Sequence, residues 1–466
     1  MHIHLIGVAG TAMATLAAML QRRGHHVTGS DAGVYPPMSD FLRAERIEVF
    51  EGYDAAHVDA GADMVVVGNA ISRGNVELET VLERRQRYCS LPERIRDEFL
   101  WDRDPIVVSG THGKTTTTSM VAWVLTYADL DPSLLVGGIA GNFDASYRLG
   151  AGRDFVIEGD EYDSAFFDKT AKFLKYVPHT VIVNNVEFDH ADIYPDVTAI
   201  LTAFTRLLRL VPSTGRVFIG IDDAGAASLV GAAFGVVETF GLSDGAHWQA
   251  RELAAGPDGT SFTVTRASEV LGHARVPMTG LHNVRNALAA IAVAASRGVP
   301  FDVIAAALAG FAGVKRRMEL RGVAGGVSIY DDFAHHPTAI TETLRGVRRA
   351  HPDARVWAIF EPRSASSCLR VFQAAFTDAF GDADEVILAS VFRTNLADDR
   401  RLSVPDLVHD LSARGQHARH IDGTAAIVEA VAREARPGDL VIVMSNGGFD
   451  DIHNRLLDAL RAGTAG

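Results

Sequence analysis

The sequence predicts an α/β protein of three domains, each built on a mostly parallel sheet. The chain has 466 residues, which is more than a single hydrophobic core usually holds. Short apolar segments of strand length alternate with segments of helix length, and this alternation is typical of βαβ units. Polar clusters follow several of the apolar segments, at the strand ends where open α/β sheets bind their ligands.

The composition restricts the class of protein. A net charge of −14 without a basic stripe argues against a general nucleic-acid partner. The two cysteines, Cys89 and Cys368, form neither a disulfide framework nor a zinc pattern. The longest apolar run, Ala287 to Ala295, is shorter than the ~20 residues that a membrane span needs. We therefore expect a cytoplasmic protein without a membrane partner, and the sequence leaves its oligomeric state open.

The first predicted domain, residues 1–103, has the outline of a Rossmann-like nucleotide-binding unit. The elements that predict it are strand Ile3–Ile6, the turn Gly7–Gly10, helix Ala12–Arg22, strand His26–Gly29 followed by Ser30-Asp31, and strand Met64–Val67 followed by a polar loop, 68–75. Ala9 and Ala12 occupy positions where the dinucleotide fingerprint has glycines. NAD is therefore weakly supported, and another nucleotide-linked ligand is as plausible.

The second predicted domain, residues 104–313, begins with a phosphate-binding loop. Strand Ile106–Val108 leads into a glycine-containing turn, and a helix is predicted over Thr116–Leu125. Such a junction directs backbone N–H groups and the positive end of a helix dipole at one point. Lys114 supplies a cation for the outer phosphates, and the Thr115 hydroxyl is a Mg²⁺ ligand. The alternative is an ordinary strand–turn–helix junction with an exposed lysine.

Two further strands of this domain end in polar clusters that fit a Mg²⁺ site. Strand Phe155–Ile157 is followed by Glu158, and strand Val181–Val183 leads to a cluster that contains His190. Mg²⁺ prefers a few oxygen ligands and leaves the remaining positions to water and substrate oxygens. Farther along the chain, a strongly apolar helix opens with a polar first turn that contains His282, Asn283 and Asn286. These side chains predict that the helix start binds a polar ligand.

The third predicted domain, residues 314–466, is again Rossmann-like α/β. Its predicted strands are Val327–Tyr330, Val356–Phe360, Glu385–Leu388 and Asp439–Met444. Polar loops follow three of these strands, so we expect one ligand-binding edge here as well.

Several motifs, taken in order along the whole chain, resemble the Mur ligase family of peptidoglycan synthesis. They are 110–116 (GTHGKTT), 158–161 (EGDE), 187–190 (EFDH), 282–290 (HNVRNALAA), 315–317 (KRR) and 331–338 (DDFAHHPT). The histidine-rich last motif resembles the branch that uses UDP-N-acetylmuramate. Segments 30–39, 68–75 and 444–449 are similar to the recycling members of that branch.

The resemblance implies an ATP- and Mg²⁺-dependent ligase that makes an amide bond through an acyl phosphate. The expected substrates are UDP-N-acetylmuramate and the murein tripeptide L-alanyl-γ-D-glutamyl-meso-diaminopimelate. The residues implied in ATP binding are Gly110, Thr111, His112, Gly113, Lys114, Thr115, Thr116, His282, Asn283, Asn286, Arg317 and Asp332. The implied metal ligands are Thr115, Glu158 and His190. The implied catalytic group is Lys114, Glu158, His190, Asn283, Arg317 and Asp332.

The resemblance also implies that the first domain binds the UDP-sugar and the third domain binds the peptide. The residues implied in binding the UDP-sugar are Gly7, Gly10, Thr11, Ser30, Asp31, Asn69 and Ser72. The residues suggested for the peptide are His335, Arg363, Ser364 and Asn446. Arg363 is equally consistent with a surface arginine that pairs with Glu361.

Three alternative functions remain at this stage. A UDP-N-acetylmuramate–L-alanine ligase would share the chemistry and take a smaller amine. An NAD-dependent oxidoreductase would rest on the N-terminal turn and leave the phosphate-binding loop unexplained. A non-catalytic ATP-binding regulator would not require Lys114, Glu158 and His190 together.

Overall fold

The computed structural model describes residues 1–58, 61–191, 193–393 and 396–463. The N-terminal part of the chain folds as a five-stranded parallel sheet with the strand order β3-β2-β1-β4-β5. Its elements are β1 (His2–Ile6), α1 (Thr11–Arg22), β2 (His26–Asp31), α2 (Met38–Ala44), β3 (Glu48–Glu51), β4 (Met64–Val67), α3 (Val76–Glu83), β5 (Tyr88–Ser90), α4 (Leu91–Ile95) and a π-helical turn, Arg96–Leu100.

The predicted N-terminal elements are confirmed, and β1, α1 and β2 each extend beyond the limits that the sequence pattern indicates. Strand β2 continues through Ser30 and Asp31 because both pair with β3. Helix α3, which the sequence analysis does not predict, begins at Val76, and the side-chain oxygen of the preceding Asn75 accepts the backbone N–H groups of Glu77 and Leu78 at 3.0 and 3.1 Å. Asn75 is therefore a helix cap, as its residue type favours.

The central part of the chain contains the predicted phosphate-binding loop, residues 110–113, between β6 and α5. Strands β14, β13, β12, β6, β9 and β7 lie side by side in that order, with β8 antiparallel at the end. The elements are β6 (Asp104–Ser109), α5 (Lys114–Tyr127), β7 (Ser133–Ala140), β8 (Ala145–Arg148), β9 (Asp154–Glu158), β10 (Asp163–Ala165), β11 (Asp168–Ala171), β12 (Thr180–Val183), α6 (Val197–Arg209), β13 (Arg216–Gly220), α7 (Ala224–Ala227) and β14 (Val236–Gly241). Helix α5 is mostly buried, which explains why its hydrophobic pattern has no polar face.

An antiparallel segment and two helices follow. The elements are β15 (Trp248–Gly256), β16 (Gly259–Arg266), β17 (Glu269–Val276), α8 (Leu281–Ser296) and α9 (Phe301–Ala309). Strand β16 pairs antiparallel with both β15 and β17. The alternating polar and apolar residues Ser261–Val264 lie within β16 and are typical of such strands.

The C-terminal part of the chain has a six-stranded sheet with the order β18-β19-β23-β20-β21-β22. All neighbours are parallel except β18 and β19. The elements are β18 (Glu319–Ala324), β19 (Val327–Asp332), α10 (Pro337–Ala350), β20 (Val356–Phe360), α11 (Gln373–Ala379), β21 (Glu385–Leu388), α12 (Val404–Ala413), β22 (His417–His420), α13 (Thr424–Glu434), β23 (Leu440–Met444) and α14 (Ile452–Gly463). Buried apolar clusters cover both faces of this sheet.

The chain divides into two compact units that do not follow the linear order of the sequence. The first combines Met1–Glu187, Val197–His247 and Ala289–Pro300. The second combines Phe188–Asp196, Trp248–Leu288 and the chain from Phe301 onward. None of the helices in the described ranges is both long enough and apolar enough to cross a membrane.

Candidate active site

The phosphate-binding loop of the first unit joins the end of β6 to the start of α5. Strand β6 lies between β12 and β9, so the loop emerges at the carboxyl ends of parallel strands. Gly110 has φ +135° and Gly113 has φ +80°. These backbone conformations favour glycine and allow the loop to turn sharply into the helix. Because the turn is this tight, helix α5 starts at Lys114, two residues before the predicted start at Thr116.

Lys114 is folded over this loop and is nearly buried. Its Nζ donates to the carbonyl oxygens of Gly110 at 2.8 Å and Thr111 at 3.3 Å. It also contacts both carboxylate oxygens of Glu161, at 3.0 and 2.9 Å. Burial alone lowers the pKa of Lys114, but the negative charges of Glu161, Asp160 and Glu158 outweigh burial and raise it. Lys114 is therefore a fixed cation at the loop.

Next to the pair formed by Lys114 and Glu161, Thr115 and Glu158 form a second contact at the loop. The Thr115 hydroxyl donates to Glu158 Oε1 at 2.8 Å, and Glu158 Oε2 accepts the Gly137 N–H at 2.7 Å. Burial, followed by the charge of Asp160, raises the pKa of Glu158 above its usual range. A hydroxyl and a carboxylate in contact, with negative charge close by, fit a hard divalent cation such as Mg²⁺.

Two asparagines after β12 support the loop, and the sequence analysis did not assign them to the site. The backbone oxygen of Asn185 accepts the Thr111 N–H at 3.0 Å, and its Oδ1 accepts the His112 N–H at 2.7 Å. The side-chain oxygen of Asn184 is buried without a hydrogen-bond partner among the described residues. Both asparagines directly follow a buried strand, and this position in the sequence could have indicated that they belong to the site.

The N-terminal turn is held by the end of β2. The carbonyl oxygen of Ser30 accepts the N–H groups of Gly7 and Val8 at 2.8 and 3.1 Å. Asp31 uses one carboxylate oxygen to accept the Ala9 N–H at 2.9 Å and the other to accept the Gly33 N–H at 3.0 Å. Asp31 therefore orders both the turn and the segment that follows β2.

The predicted UDP-sugar residues of the first unit differ in exposure. Ser30 is fully buried, and its hydroxyl donates to the buried carboxylate of Glu77. Its side chain therefore faces the interior, and its effect on the turn passes through its backbone oxygen. Four of the other predicted residues are exposed on loops or at a helix start, namely Gly10, Thr11, Asn69 and Ser72.

In the second unit, the first turn of α8 presents two buried amides, as predicted. Asn283 Nδ2 donates to the carbonyl oxygen of Thr279 at 2.8 Å, and Asn286 Nδ2 donates to Asn283 Oδ1 at 3.2 Å. His282 Nδ1 lies 3.6 Å from a carboxylate oxygen of Glu342 on α10. The His282 and Arg285 charges overcome the effect of burial and lower the pKa of Glu342 to about 2.

Asp332 also lies in the second unit, at the end of β19. The sequence analysis placed it in the loop after a strand ending at Tyr330, but Asp331 and Asp332 both pair with β23. The Asp332 carboxylate accepts the N–H groups of Met318 and Ala334, each at 2.8 Å. Burial raises its pKa, while the nearby positive charge of Arg317 opposes that shift.

His190 is buried in the second unit and has φ +53°. Its backbone N–H contacts Asp189 Oδ1 at 2.6 Å and Ser366 Oγ at 3.2 Å. Ser366 Oγ in turn donates to Asp189 Oδ1 at 2.6 Å. Burial would raise the pKa of Asp189, but the neighbouring histidines, His190 and His336, lower it overall. Asp189 and Ser366 thus hold the backbone of His190, and the sequence analysis did not assign either of them to the site.

The predicted peptide residues lie in the same unit and are partly buried. Arg363 Nη1 lies 3.6 Å from Glu361 Oε1, and its guanidinium lies 3.8 Å from the ring centre of Phe392. Ser364 Oγ donates to Ser367 Oγ at 2.8 Å. Asn446 Oδ1 is buried and lacks a hydrogen-bond partner among the described residues. His335 Nδ1 lies 3.1 Å from the carbonyl oxygen of Phe333.

Three family models match the chain in succession. The Mur ligase family catalytic domain matches residues 2–97, the Mur ligase middle domain matches residues 108–294, and the Mur ligase glutamate ligase domain matches residues 316–447. The chain belongs to the Mur ligase family. Mur ligases have the three-domain α/β architecture that the sequence predicted, and the fold prediction is thereby confirmed.

Individual relatives narrow the comparison within the Mur ligases. The Escherichia coli (strain K12) UDP-N-acetylmuramate–L-alanyl-γ-D-glutamyl-meso-2,6-diaminoheptandioate ligase is 42% identical over 99% of this chain and 98% of its own. A UDP-N-acetylmuramate–L-alanine ligase from Salinispora arenicola is 35% identical over 100% of this chain and 89% of its own. A crystal structure of a murein peptide ligase from Psychrobacter arcticus has a TM-score of 0.73 and 39% identity, covering 99% of both chains.

Proposed function

We propose that this Mur ligase joins UDP-N-acetylmuramate to L-alanyl-γ-D-glutamyl-meso-diaminopimelate with ATP, giving ADP and phosphate. The observation that carries the proposal is the full-length 42% identity to a ligase named for these two substrates. The phosphate-binding loop, with the cation Lys114 folded over it and with Thr115 in contact with Glu158, supplies the chemistry that such a ligase requires.

The first unit fits a nucleoside triphosphate. Backbone N–H groups at the start of α5 and the Lys114 ammonium are grouped around one loop. We assign the triphosphate to Gly110, Thr111, His112, Gly113, Lys114, Thr115 and Thr116. In the second unit we assign nucleotide contacts to His282, Asn283, Asn286, Arg317 and Asp332.

The donor set also fits Mg²⁺. Thr115 Oγ1 and Glu158 Oε1 would hold one ion, and we assign His190 to a second. When bound, Mg²⁺ supplies positive charge that offsets the charge of the phosphates. The fixed cation Lys114 adds to this neutralisation, and its position is set by the loop before the nucleotide arrives.

The task of the protein in this reaction is positioning and charge stabilisation. A free carboxylate resists amine attack because an oxide ion would have to leave. Transfer of the γ-phosphoryl group to the lactyl carboxylate of the muramyl sugar gives an acyl phosphate, with ADP as the leaving group. The peptide α-amine then attacks the acyl carbon, the ammonium proton is lost, and phosphate departs as the amide forms. Lys114 would stabilise the negative charge on the transferring phosphoryl group.

We assign UDP-N-acetylmuramate to the N-terminal domain and the peptide to the C-terminal domain. The N-terminal turn with Gly7, Gly10, Thr11, Asp31, Asn69 and Ser72 would bind the UDP-sugar, and the buried Ser30 would support that turn through its backbone oxygen. His335, Arg363, Ser364 and Asn446 would bind the peptide, and the unpartnered Asn446 Oδ1 supports a polar ligand there. The domain limits 1–103, 104–313 and 314–466, a cytoplasmic location and the absence of a nucleic-acid partner stay predictions.

Phosphate release tests the function directly. The purified protein receives ATP, Mg²⁺ and UDP-N-acetylmuramate, with either L-alanine or the tripeptide as the amine. We expect turnover with the tripeptide and little with L-alanine. The reverse preference would favour the alanine ligase, which the 35% identical relative keeps as the second candidate. No release with either amine would contradict both.

A further inference from the structure

The ammonium group of Lys114 has more acceptors around it than hydrogens to donate. Nζ lies 2.8 and 3.3 Å from the carbonyl oxygens of Gly110 and Thr111, and 3.0 and 2.9 Å from the two oxygens of Glu161. A lysine ammonium has three hydrogens. Since four oxygens already compete for them, an incoming phosphate oxygen must replace one of these acceptors.

The loop carbonyls are poorly suited to move away. Thr111 is tied to Asn185 by its backbone N–H, and a Cβ on Gly110 would lie only 3.0 Å from the Asn184 side chain. The Glu161 carboxylate, in contrast, is carried by a side chain three residues beyond the end of β9, and its oxygens are not part of the loop backbone. A rotation about its side-chain bonds would release Lys114 without moving the loop. It is also the only anion among the four contacts, and so the acceptor most like a phosphate oxygen.

We propose that the Glu161 carboxylate is an internal anion that holds Lys114 in the nucleotide-free loop and that ATP must displace. Glu161 thereby sets the affinity of the loop for nucleotides. The inference rests on the proposed ATP site and adds a residue to it. Glu161 is a positioning residue, because it acts on the nucleotide through Lys114.

Burial explains why such a counter-ion is needed. The side chains of Lys114 and Glu161 are 11% and 2% exposed. A buried ammonium without a partner would be strongly destabilised, so the pair keeps Lys114 charged while the loop is free of nucleotide. Asp160 and Glu158 add further negative charge near Lys114. Free phosphate is therefore repelled, and a nucleotide that carries Mg²⁺ is favoured over a bare anion.

The test measures nucleotide binding without turnover. ADP is titrated calorimetrically into the wild type, Glu161→Gln, Glu161→Asp and Asp163→Asn, with and without Mg²⁺. Asp163→Asn is the matched control, because it also removes one negative charge but from a carboxylate that pairs with Lys169. We expect Glu161→Gln to bind ADP on the order of tenfold more tightly than the wild type, most clearly without Mg²⁺. Glu161→Asp should lie between them, and Asp163→Asn should match the wild type.

A comparison of the KM values for the two nucleotide substrates distinguishes this role of Glu161 from a general structural role. In Glu161→Gln the KM for ATP should fall while the KM for UDP-N-acetylmuramate stays unchanged, whereas misfolding would impair both. Unchanged or weaker ADP binding by Glu161→Gln would overturn the inference while leaving the proposed function intact. If Glu161→Gln does not fold, Glu161→Asp decides on the same criterion. Failure of the wild type itself to bind any nucleotide would overturn the proposed function.

Discussion

At the scale of single residues, Lys114 carries the strongest prediction. Lys114→Ala should reduce phosphate release at least about a hundredfold, because the fixed cation at the transferring phosphoryl group is lost. Lys169→Ala, which removes an exposed lysine paired with Asp163, should keep wild-type turnover. Steady-state phosphate release with the tripeptide measures both. Full activity of Lys114→Ala would favour an ATP-binding regulator or a different phosphate site.

Thr115 allows a more specific prediction about the metal. Thr115→Val keeps the shape of the side chain but removes the hydroxyl that contacts Glu158 at 2.8 Å. The Mg²⁺ concentration for half-maximal activity should rise on the order of tenfold, since one oxygen ligand is lost.

The matched control for Thr115 is Thr118→Val on the same helix. The Thr118 hydroxyl donates to the carbonyl oxygen of Lys114 at 2.8 Å, within the helix. This variant should keep the Mg²⁺ dependence of the wild type. An equal rise in both variants would assign the effect to helix α5 as a whole and contradict a ligand role for Thr115.

At the scale of elements, Asp31 links the end of β2 to the N-terminal turn. Asp31→Ala removes the acceptors of two backbone N–H groups, those of Ala9 and Gly33. The turn should loosen, so the KM for UDP-N-acetylmuramate should rise on the order of tenfold while the KM for ATP stays unchanged. Asp40→Ala on α2 removes an exposed carboxylate paired with Arg43 and should leave both KM values unchanged. A rise in the KM for ATP alone would contradict the assignment of this turn.

The contact between α8 and α10 gives a prediction about pH. Glu342 is held near His282 and Arg285, and its pKa is lowered from 4.5 to about 2. A lowered carboxyl pKa stabilises the fold above pH 4.5, and that contribution is lost as the pH falls toward 2. Glu342→Gln should therefore lower the free energy of unfolding by about 1–2 kcal/mol at pH 7, with a smaller difference at pH 3.5.

Denaturant unfolding at the two pH values measures this difference. Glu429→Gln, an exposed change on α13, should match the wild type at both. A Glu342→Gln difference that stays constant between pH 7 and pH 3.5 would show that charge pairing is not its source.

At the scale of the whole molecule, the sequence predicts the α/β architecture and the central strands of the N-terminal and C-terminal sheets, because buried parallel strands are short apolar runs. In the central sheet it predicts β6, β9 and β12 but neither β7 (Ser133–Ala140) nor β13 (Arg216–Gly220). It does not predict edge strands such as β5 (Tyr88–Ser90) or β22 (His417–His420), whose polar residues form strands through pairing with their neighbours. The phosphate-binding loop is predictable because its chemistry is local in sequence. The contact between Lys114 and Glu161 is not, because it joins residues 47 positions apart.

The division of substrates between domains yields the last prediction. Arg363 is half-buried, stacked on Phe392 and 3.6 Å from Glu361, so its guanidinium is held in place rather than free at the surface. Such an arginine suits a peptide carboxylate. Arg363→Ala should raise the KM for the tripeptide on the order of tenfold or more and leave the KM values for ATP and UDP-N-acetylmuramate unchanged. Arg370→Ala, which removes an exposed arginine paired with Asp406, should match the wild type. If Arg363→Ala changed no kinetic constant, Arg363 would be a structural arginine, and peptide selection would lie with other residues of the C-terminal domain.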